Sequence, residues 1–306
     1  MASVLVIGGG LAGCTAALEL AQNDRNVIIV EKSVTIGGKV RSYGCKATDR
    51  CNRCGLCLVG DLWDQVERHE NIEILTGAQV VDIMGTKGRF TVIVKTHGYV
   101  DTISNLDHIV VSTGFDEFAT LSSGSLEFEE SKYIITGSEL ERLLSNRGKY
   151  HLFPNPPASV GFIQCFGSRD IQEKAAYCSR ICCGYSIRAA KVFREYYPDI
   201  KITFFYMDFQ EVEGQDCFDD LIRDNFEFIR CRPVSIKAGR PNLILYEDPE
   251  DHSLVEESMD LLVLSEGIYP SRDFENLAEV CRLGLNENGF LKYIENPRQS
   301  GIYLAG

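Results

Sequence analysis

Residues 4–32 narrow the fold more than any other part of this chain. Val4, Leu5, Val6 and Ile7 form a short apolar run of the kind a buried parallel strand shows. Gly8-Gly9-Gly10-Leu11-Ala12-Gly13 follows at once, and Cys14 to Gln22 reads as a helix rich in Ala and Leu. Asn26 to Val30 makes a second apolar strand ending at Glu31, 18 positions beyond Gly13. Strand, glycines, helix, strand and acid in that order make a βαβ unit with the G-x-G-x-x-G fingerprint of a dinucleotide site. Gly8 permits the tight turn, Gly10 lets backbone approach a pyrophosphate, and Gly13 lets helix and strand pack closely. The helix N-terminus offers free N–H groups and a positive dipole end to phosphates. Glu31 is placed to accept hydrogen bonds from ribose hydroxyls.

The fingerprint by itself does not choose between FAD and NAD. Ile36-Gly37-Gly38-Lys39-Val40 supplies glycines suited to a second close passage of backbone along an extended dinucleotide. With Glu31-Lys32 ahead of it, this E-K-x-x-x-x-G-G arrangement resembles FAD-dependent disulfide reductase-like flavoproteins. His108-Ile109-Val110-Val111-Ser112-Thr113-Gly114 reads as a strand ending in a small-residue turn; in those flavoproteins such a strand crosses beneath the cofactor. Together the three segments point to FAD. The positions expected to bind it are Gly8, Gly10, Leu11, Ala12, Gly13, Glu31, Lys32, Gly37, Gly38, Lys39, Val80, Thr113 and Gly114.

At 306 residues the chain exceeds what one hydrophobic core usually organises, so two domains are expected. A net charge of −13 argues against nucleic acid and against anionic lipid, both of which need a basic surface. No apolar run approaches a membrane span and Met1 starts no signal peptide, so the expected location is the cytoplasm. In that compartment structural disulfides are rare, and twelve cysteines then read first as metal ligands or redox groups.

Cys45-x5-Cys51-x2-Cys54-x2-Cys57 is the first group. Two residues between thiols let a loop wrap several sulfurs round one centre, and C-x2-C-x2-C is a bacterial ferredoxin-like spacing. A [4Fe–4S] cluster, a zinc ion, a redox disulfide and plain packing thiols all remain open from spacing alone. A second βαβ pattern opens at Val160-Gly161-Phe162-Ile163-Gln164 and resumes in a helix to Tyr196 and a strand from Ile200 to Met207. Where a glycine-rich phosphate loop would stand, it carries Cys165 at the strand end and Cys178, Cys182 and Cys183 at the helix start. Cys178 and Cys182 are four apart, on one helical face, and the positive end of a helix favours thiolates. Soft ligands meeting at a strand-to-helix switch point favour a metal centre, iron–sulfur ahead of zinc.

Elsewhere the signals are plainer. Leu62 to Arg68 is expected to be a short helix, and Phe90 to Val94 a strand beyond the Lys87-Gly88 turn. Thr136-Gly137-Ser138 with Glu139 and Glu141 suits the start of a helix over 138–144. Pro154-Asn155-Pro156-Pro157 is the expected domain junction. His97 and His108 are given no role. Cys14, Cys217, Cys231 and Cys281 read as isolated thiols. The acidic run Glu211, Glu213, Asp216, Asp219 and Asp220 reads as a solvated face, with docking of a basic partner the alternative.

Phe162-Ile163-Gln164-Cys165-Phe166-Gly167-Ser168-Arg169-Asp170, followed by Tyr177-Cys178-Ser179-Arg180-Ile181-Cys182-Cys183, resembles the signature of the heterodisulfide reductase A-subunit family. Ile202 to Asp208 and Asp260 to Ser265, with Gly267 and Pro270, are similar to that family too. The resemblance implies a thioredoxin reductase-like scaffold with FAD in the first domain. It also implies a [4Fe–4S] cluster on Cys165, Cys178, Cys182 and Cys183 of the second. It further implies partner redox subunits, homodimerisation within their complex, and in some members bifurcation of electron pairs at the flavin. Two features depart from the family: its larger members' extra ferredoxin-type domains are not visible, and the Cys45–Cys57 loop holds more cysteines than a short C-x-x-C.

The expected fold class is therefore α/β, two Rossmann-like domains of dinucleotide-binding type with inserted cysteine-rich loops. Residues 1–155 and 266–306 would form the FAD domain, and 156–265 the inserted domain with the iron–sulfur site. Gly301 to Gly306 matches a strand that in this scaffold leads to a turn and helix over the flavin, so the chain is expected to continue beyond it. The expected function is electron transfer between FAD and one or two [4Fe–4S] clusters. The alternatives are a stand-alone NAD(P)H-dependent disulfide reductase using Cys51-Cys54 or Cys182-Cys183, and a scaffold protein that holds zinc.

Overall fold

The computed structural model describes residues 3–96, 98–117, 131–145, 153, 155–210 and 225–306. The expectations for His97, Pro154, Cys217, the acidic run and most of loop 115–126 lie outside them. Contacts divide the chain into two units: residues 1–41, 55–116 and 270–306 form one, and residues 42–54 and 117–269 the other.

The first unit is built on a five-stranded parallel sheet. Its strands are β1 (Ser3–Ile7), β2 (Asn26–Glu31), β3 (Ile72–Thr76), β7 (His108–Val111) and β20 (Ile302–Leu304), in the order β20-β7-β1-β2-β3. The two apolar runs of the opening motif pair directly, Leu5 opposite Ile28 on one side and Ile109 on the other. Helix α1 (Leu11–Gln22) buries Gly13, Cys14, Ala17 and Ala21, a face of small residues that lets the helix lie close to the sheet. Helix α2 spans Cys57–Arg68 and so starts five residues before the expected Leu62. Its first turn holds exposed Leu58 and Gly60, which hide the apolar period. β4 (Gln79–Met84), β5 (Phe90–Thr96) and β6 (Tyr99–Leu106) make an antiparallel layer, with β4 and β5 joined across the Lys87-Gly88 turn.

The second unit repeats the parallel arrangement with β9 (Ile134–Thr136), β10 (Ser159–Phe166), β11 (Lys201–Tyr206), β12 (Glu227–Arg230) and β16 (Leu261–Glu266). Their order is β12-β11-β10-β16-β9. β13 (Ser235–Lys237), β14 (Asn242–Glu247) and β15 (Leu254–Met259) form an antiparallel flap. Helices α3 (Gly137–Ser145) and α4 (Cys182–Tyr196) complete it. Thr136 Oγ1 accepts from Glu139 N–H at 3.1 Å, while Glu139 Oε2 accepts from Thr136 N–H at 2.7 Å, a reciprocal cap that fixes the start of α3. The two-residue strands β8 (Asp116–Glu117), β17 (Ile268–Tyr269), β18 (Gly284–Leu285) and β19 (Leu291–Lys292) close the strand list.

The junction expected at Pro154–Pro157 is displaced. β9 pairs with β16 in the second sheet, Ile135 opposite Val263, so the chain has entered this unit before the prolines. Pairing across more than a hundred residues overrides the local break that the prolines signal.

Successive phenylalanines of β11 point to opposite faces. Phe204 stacks on Phe162 at 4.9 Å and on Phe228 at 5.4 Å, whereas Phe205 meets Tyr246 at 5.9 Å. Phe204 is fully buried. Replacing it by Ala is expected to cost about 3–5 kcal/mol, the usual range for a buried ring, read as a fall in denaturation midpoint. A loss below about 1 kcal/mol would show that this stack does not organise the second unit.

Candidate functional site: a dinucleotide cradle and two groups of cysteines

The glycine loop lies at the C-terminal end of β1, where strand order reverses between β1 and β7; open parallel sheets bind ligands at such a switch point. Gly8 has φ +103°, and a Cβ there would lie 2.5 Å from the Ser112 carbonyl oxygen. A Cβ on Gly13 would lie 1.9 Å from the Gly8 oxygen. A Cβ on Gly10 would meet no protein atom within 4 Å. Gly8 and Gly13 thus serve the fold, while Gly10 keeps one side of the loop clear.

Glu31 is buried and folds back onto the loop. Its Oε2 accepts from Gly9 N–H at 2.7 Å and its Oε1 from Ser33 N–H at 2.7 Å, which leaves lone pairs for a ribose. Gly37 N–H donates to the Gly9 oxygen at 2.6 Å, so the second pair of glycines lies against the first. α1 has no side-chain cap, and Leu11, its first residue, is 42% exposed, so its leading N–H groups remain for an anion. Thr113 Oγ1 is buried with no hydrogen-bond partner, beside Gly114 at φ +76°. An orphaned buried hydroxyl, an open glycine face and uncapped amides fit a dinucleotide.

Three expected contacts look different in the structure. Lys32 pairs with Asp273 at 2.9 Å, Lys39 lies over the Phe115 ring at 5.6 Å, and the Val80 side chain is buried in the core. Val80 therefore has only backbone to offer. Sequence reading missed Ser112, whose hydroxyl lies 3.0 Å from the Ile7 carbonyl and 2.9 Å from that of Gly8, bracing the turn from below. A small hydroxyl residue after an apolar strand was the only hint.

The corresponding switch point of the second unit, between β10 and β16, carries the second group of cysteines. Cys165 adopts φ +58°, a region costly for any residue but glycine, where the β10–β16 register shifts. Cys182 and Cys183 open α4, whose N-terminus lacks a side-chain cap. Burial raises the thiol pKa of Cys165 to about 11, charge on Cys183 and Cys178 adding to this and Arg169 opposing it. Burial likewise raises Cys182 and Cys183, with neighbouring cysteines adding to both. Burial thus disfavours thiolate at Cys165, Cys182 and Cys183, and a bound metal would displace their protons. Among the described residues, however, no three His, Cys, Asp or Glu side chains are drawn into ligating geometry.

A polar frame holds these thiols. Gln164 Nε2 donates to Ser265 Oγ at 3.1 Å, Ser265 and Ser186 hydroxyls lie 2.8 Å apart, and Ser186 donates to the Cys182 carbonyl at 2.7 Å. Ser168 and Ser179 hydroxyls meet at 2.7 Å and tie the two ends of the Gly167–Arg180 loop.

In the first group, Cys45, Cys51 and Cys54 belong to the second unit, whereas Cys57 opens α2 of the first; all four are exposed. Ala47 N–H donates to Cys45 Sγ at 3.4 Å and Arg53 N–H to Cys51 Sγ at 3.4 Å. Arg180 N–H treats Cys178 in the same way at 3.3 Å. Sulfur is a weak acceptor, and three amides aimed two residues back in this way suit sulfur that binds metal.

Three thiols outside these groups set an alkaline limit. Burial raises Cys14, Cys231 and Cys281 from the usual 9.0 to about 12 each, Glu31 adding to the rise at Cys14. A pKa raised by folding gives stability that is complete below the unfolded value and is lost as pH climbs through the folded one. The melting temperature is expected to fall progressively between pH 9 and 12, and Cys14→Ala to flatten that slope. An unchanged slope in the variant would remove Cys14 from the account.

Two parallel sheets of this strand order accord with the fold of the pyridine nucleotide-disulphide oxidoreductases, and residues 2–146 match that family's model. The curated relatives that the chain matches are A subunits of heterodisulfide reductases. The chain is 28% identical to the A chain of the ferredoxin/F420H2-dependent CoB-CoM heterodisulfide reductase of Methanosarcina acetivorans, covering 99% of this chain and 50% of the relative. It is also 28% identical to the iron-sulfur A chain of the CoB–CoM heterodisulfide reductase of Methanocaldococcus jannaschii, covering 99% of this chain and 60% of the relative. The chain therefore spans about half the length of the curated relatives it matches. Thioredoxin reductase from T. acidophilum shares the fold, with a TM-score of 0.63 at 16% identity over 100% of this chain and 90% of that one. No helix among the described residues is long and apolar enough to cross a membrane.

Proposed function

We propose that this chain is an FAD- and iron–sulfur-containing electron-transfer subunit that works in the cytoplasm beside other redox subunits of a heterodisulfide reductase-like complex. The observation that carries the reading is the exchange of residues at the second switch point. A sheet built like a dinucleotide site presents Cys165, Cys178, Cys182 and Cys183 where a phosphate loop would stand. Flavin exchanges electrons in pairs or singly and an iron–sulfur cluster carries one at a time, so the two together couple unlike carriers.

The chain's own residues hold and shield these groups. Glu31, the Gly8–Gly13 loop and the start of α1 would bind ribose and pyrophosphate. The uncapped N-terminus of α4 would offset part of the cost of thiolate at buried Cys182 and Cys183 once a metal takes their protons. Gln164, Ser186 and Ser265 fix the backbone that carries them. Bifurcation at the flavin is the finer form of this reading, implied by the resemblance.

The test is flavin and metal analysis of anaerobically purified protein, with low-temperature EPR before and after dithionite. Bound flavin with several irons per chain and a cluster signal is expected, and Cys182→Ser should remove one signal selectively. Flavin without iron, together with rapid reduction by NAD(P)H, would instead establish a disulfide reductase. Zinc without flavin or iron would establish a scaffold.

A further inference from the structure

Residues 42–54 have almost no regular secondary structure, yet they contain the only buried lysine among the described residues. Lys46 is 4% exposed and its ammonium contacts Glu141 of α3, itself 8% exposed. The same ammonium donates to the Gly44 carbonyl at 2.5 Å. The Lys46 carbonyl accepts from Asn52 Nδ2 at 2.6 Å, and the Asn52 carbonyl accepts from Arg188 Nε of α4 at 3.1 Å. Gly44 lies so close to the end of α3 that a Cβ would stand 2.6 Å from the Leu144 oxygen.

Lys46 thus joins the Cys45 end of the loop to the Cys51 end and seats both on α3 and α4. A buried ion pair is a costly way to dock a loop, since apolar side chains of similar size hold as well or better. What it adds is a fixed register, and here register decides where Cys45 and Cys51 stand.

We propose that Lys46, through its pair with Glu141, is the positioning residue of the first cysteine site, placing the sulfurs of the Cys45–Cys54 segment for an iron–sulfur centre. This rests on the iron–sulfur reading above. Assembly at that site then depends on α3 and α4 being folded.

The decisive variant is the double Lys46→Met/Glu141→Leu chain, reconstituted anaerobically with iron and sulfide. Removing both charges spares the fold the penalty of one unpaired buried charge, so its melting temperature is expected to match the parent. Its first site is expected to bind iron about 10- to 100-fold more weakly, as loss of a ligand-orienting partner does elsewhere. The EPR signal that Cys182→Ser removes should stay, and maleimide labelling of the metal-free loop cysteines should speed up. Lys46→Arg should retain both iron and labelling rate. Parental iron affinity and labelling in the double variant would overturn the proposal. So would a double variant that melts early and loses both signals, because the pair would then serve the fold alone. Cys51→Ser separates the underlying reading: if that variant keeps its full iron, the first site holds no cluster and the proposal falls with it.

Discussion

Gly13→Val is expected to abolish flavin retention and lower the melting temperature in the same preparation. A Cβ at this position would lie 1.9 Å from the Gly8 carbonyl oxygen and 2.6 Å from Ser112 Oγ. The first of these is backbone of the loop itself, which can yield only by opening the turn from β1 to α1. Overpacking of this kind costs about 1–3 kcal/mol where side chains can move and more where they cannot. Gly10→Ala is the informative companion. Its Cβ would meet nothing in the protein within 4 Å, so folding should be unaffected while FAD binds about tenfold or more weakly. Equal loss of stability in both variants would mean that the loop does not divide its glycines between fold and ligand.

Gly267→Val is expected to damage the second unit's cysteine site with comparable force. The added carbon would lie 2.0 Å from Ser168 Oγ and 2.4 Å from Ser179 Oγ. Both serines are buried, and their mutual hydrogen bond closes the loop between Cys165 and Cys178. Ser179 Oγ also accepts from Ile268 N–H at 3.0 Å, so neither hydroxyl can swing away without losing a partner. On the iron–sulfur reading proposed above, iron at Cys165, Cys178, Cys182 and Cys183 should fall about 10- to 100-fold, while the signal removed by Cys51→Ser persists. Loss of both signals in step would show that the two sites are not independently framed.

The features that sequence revealed are those encoded within a few residues. The order of strand, glycines, helix and acid over residues 4–31 appears in the structure as β1, α1 and β2, with Gly8 at φ +103° in the turn between β1 and α1. Cys165 at a strand end and Cys182 at a helix start were legible for the same reason. What could not be read were contacts between distant segments. Nothing about Lys46 marks it as buried until Glu141, 95 residues later, is brought to it. Nor do residues 134–136 announce that they belong to a sheet whose neighbouring strand begins at Leu261. Pro154 to Pro157 gave a strong local stop signal that long-range pairing had already passed. The amide-to-sulfur bonds at Cys45, Cys51 and Cys178 depend on backbone angles that residue type does not fix.

The 95-residue separation of Lys46 and Glu141 also sets a timetable for the nascent chain. At roughly 5–20 residues per second, about 5–20 s separate synthesis of the lysine from synthesis of its glutamate. During that interval Cys45, Cys51 and Cys54 have left the ribosome with no helix to dock on. Three thiols are then open to stray metal and oxidant before the chain can give them a fixed arrangement. On the iron–sulfur reading proposed above, delivery of iron to that loop belongs after translation of α3, which would make maturation of the first site a late event even though its cysteines are made early.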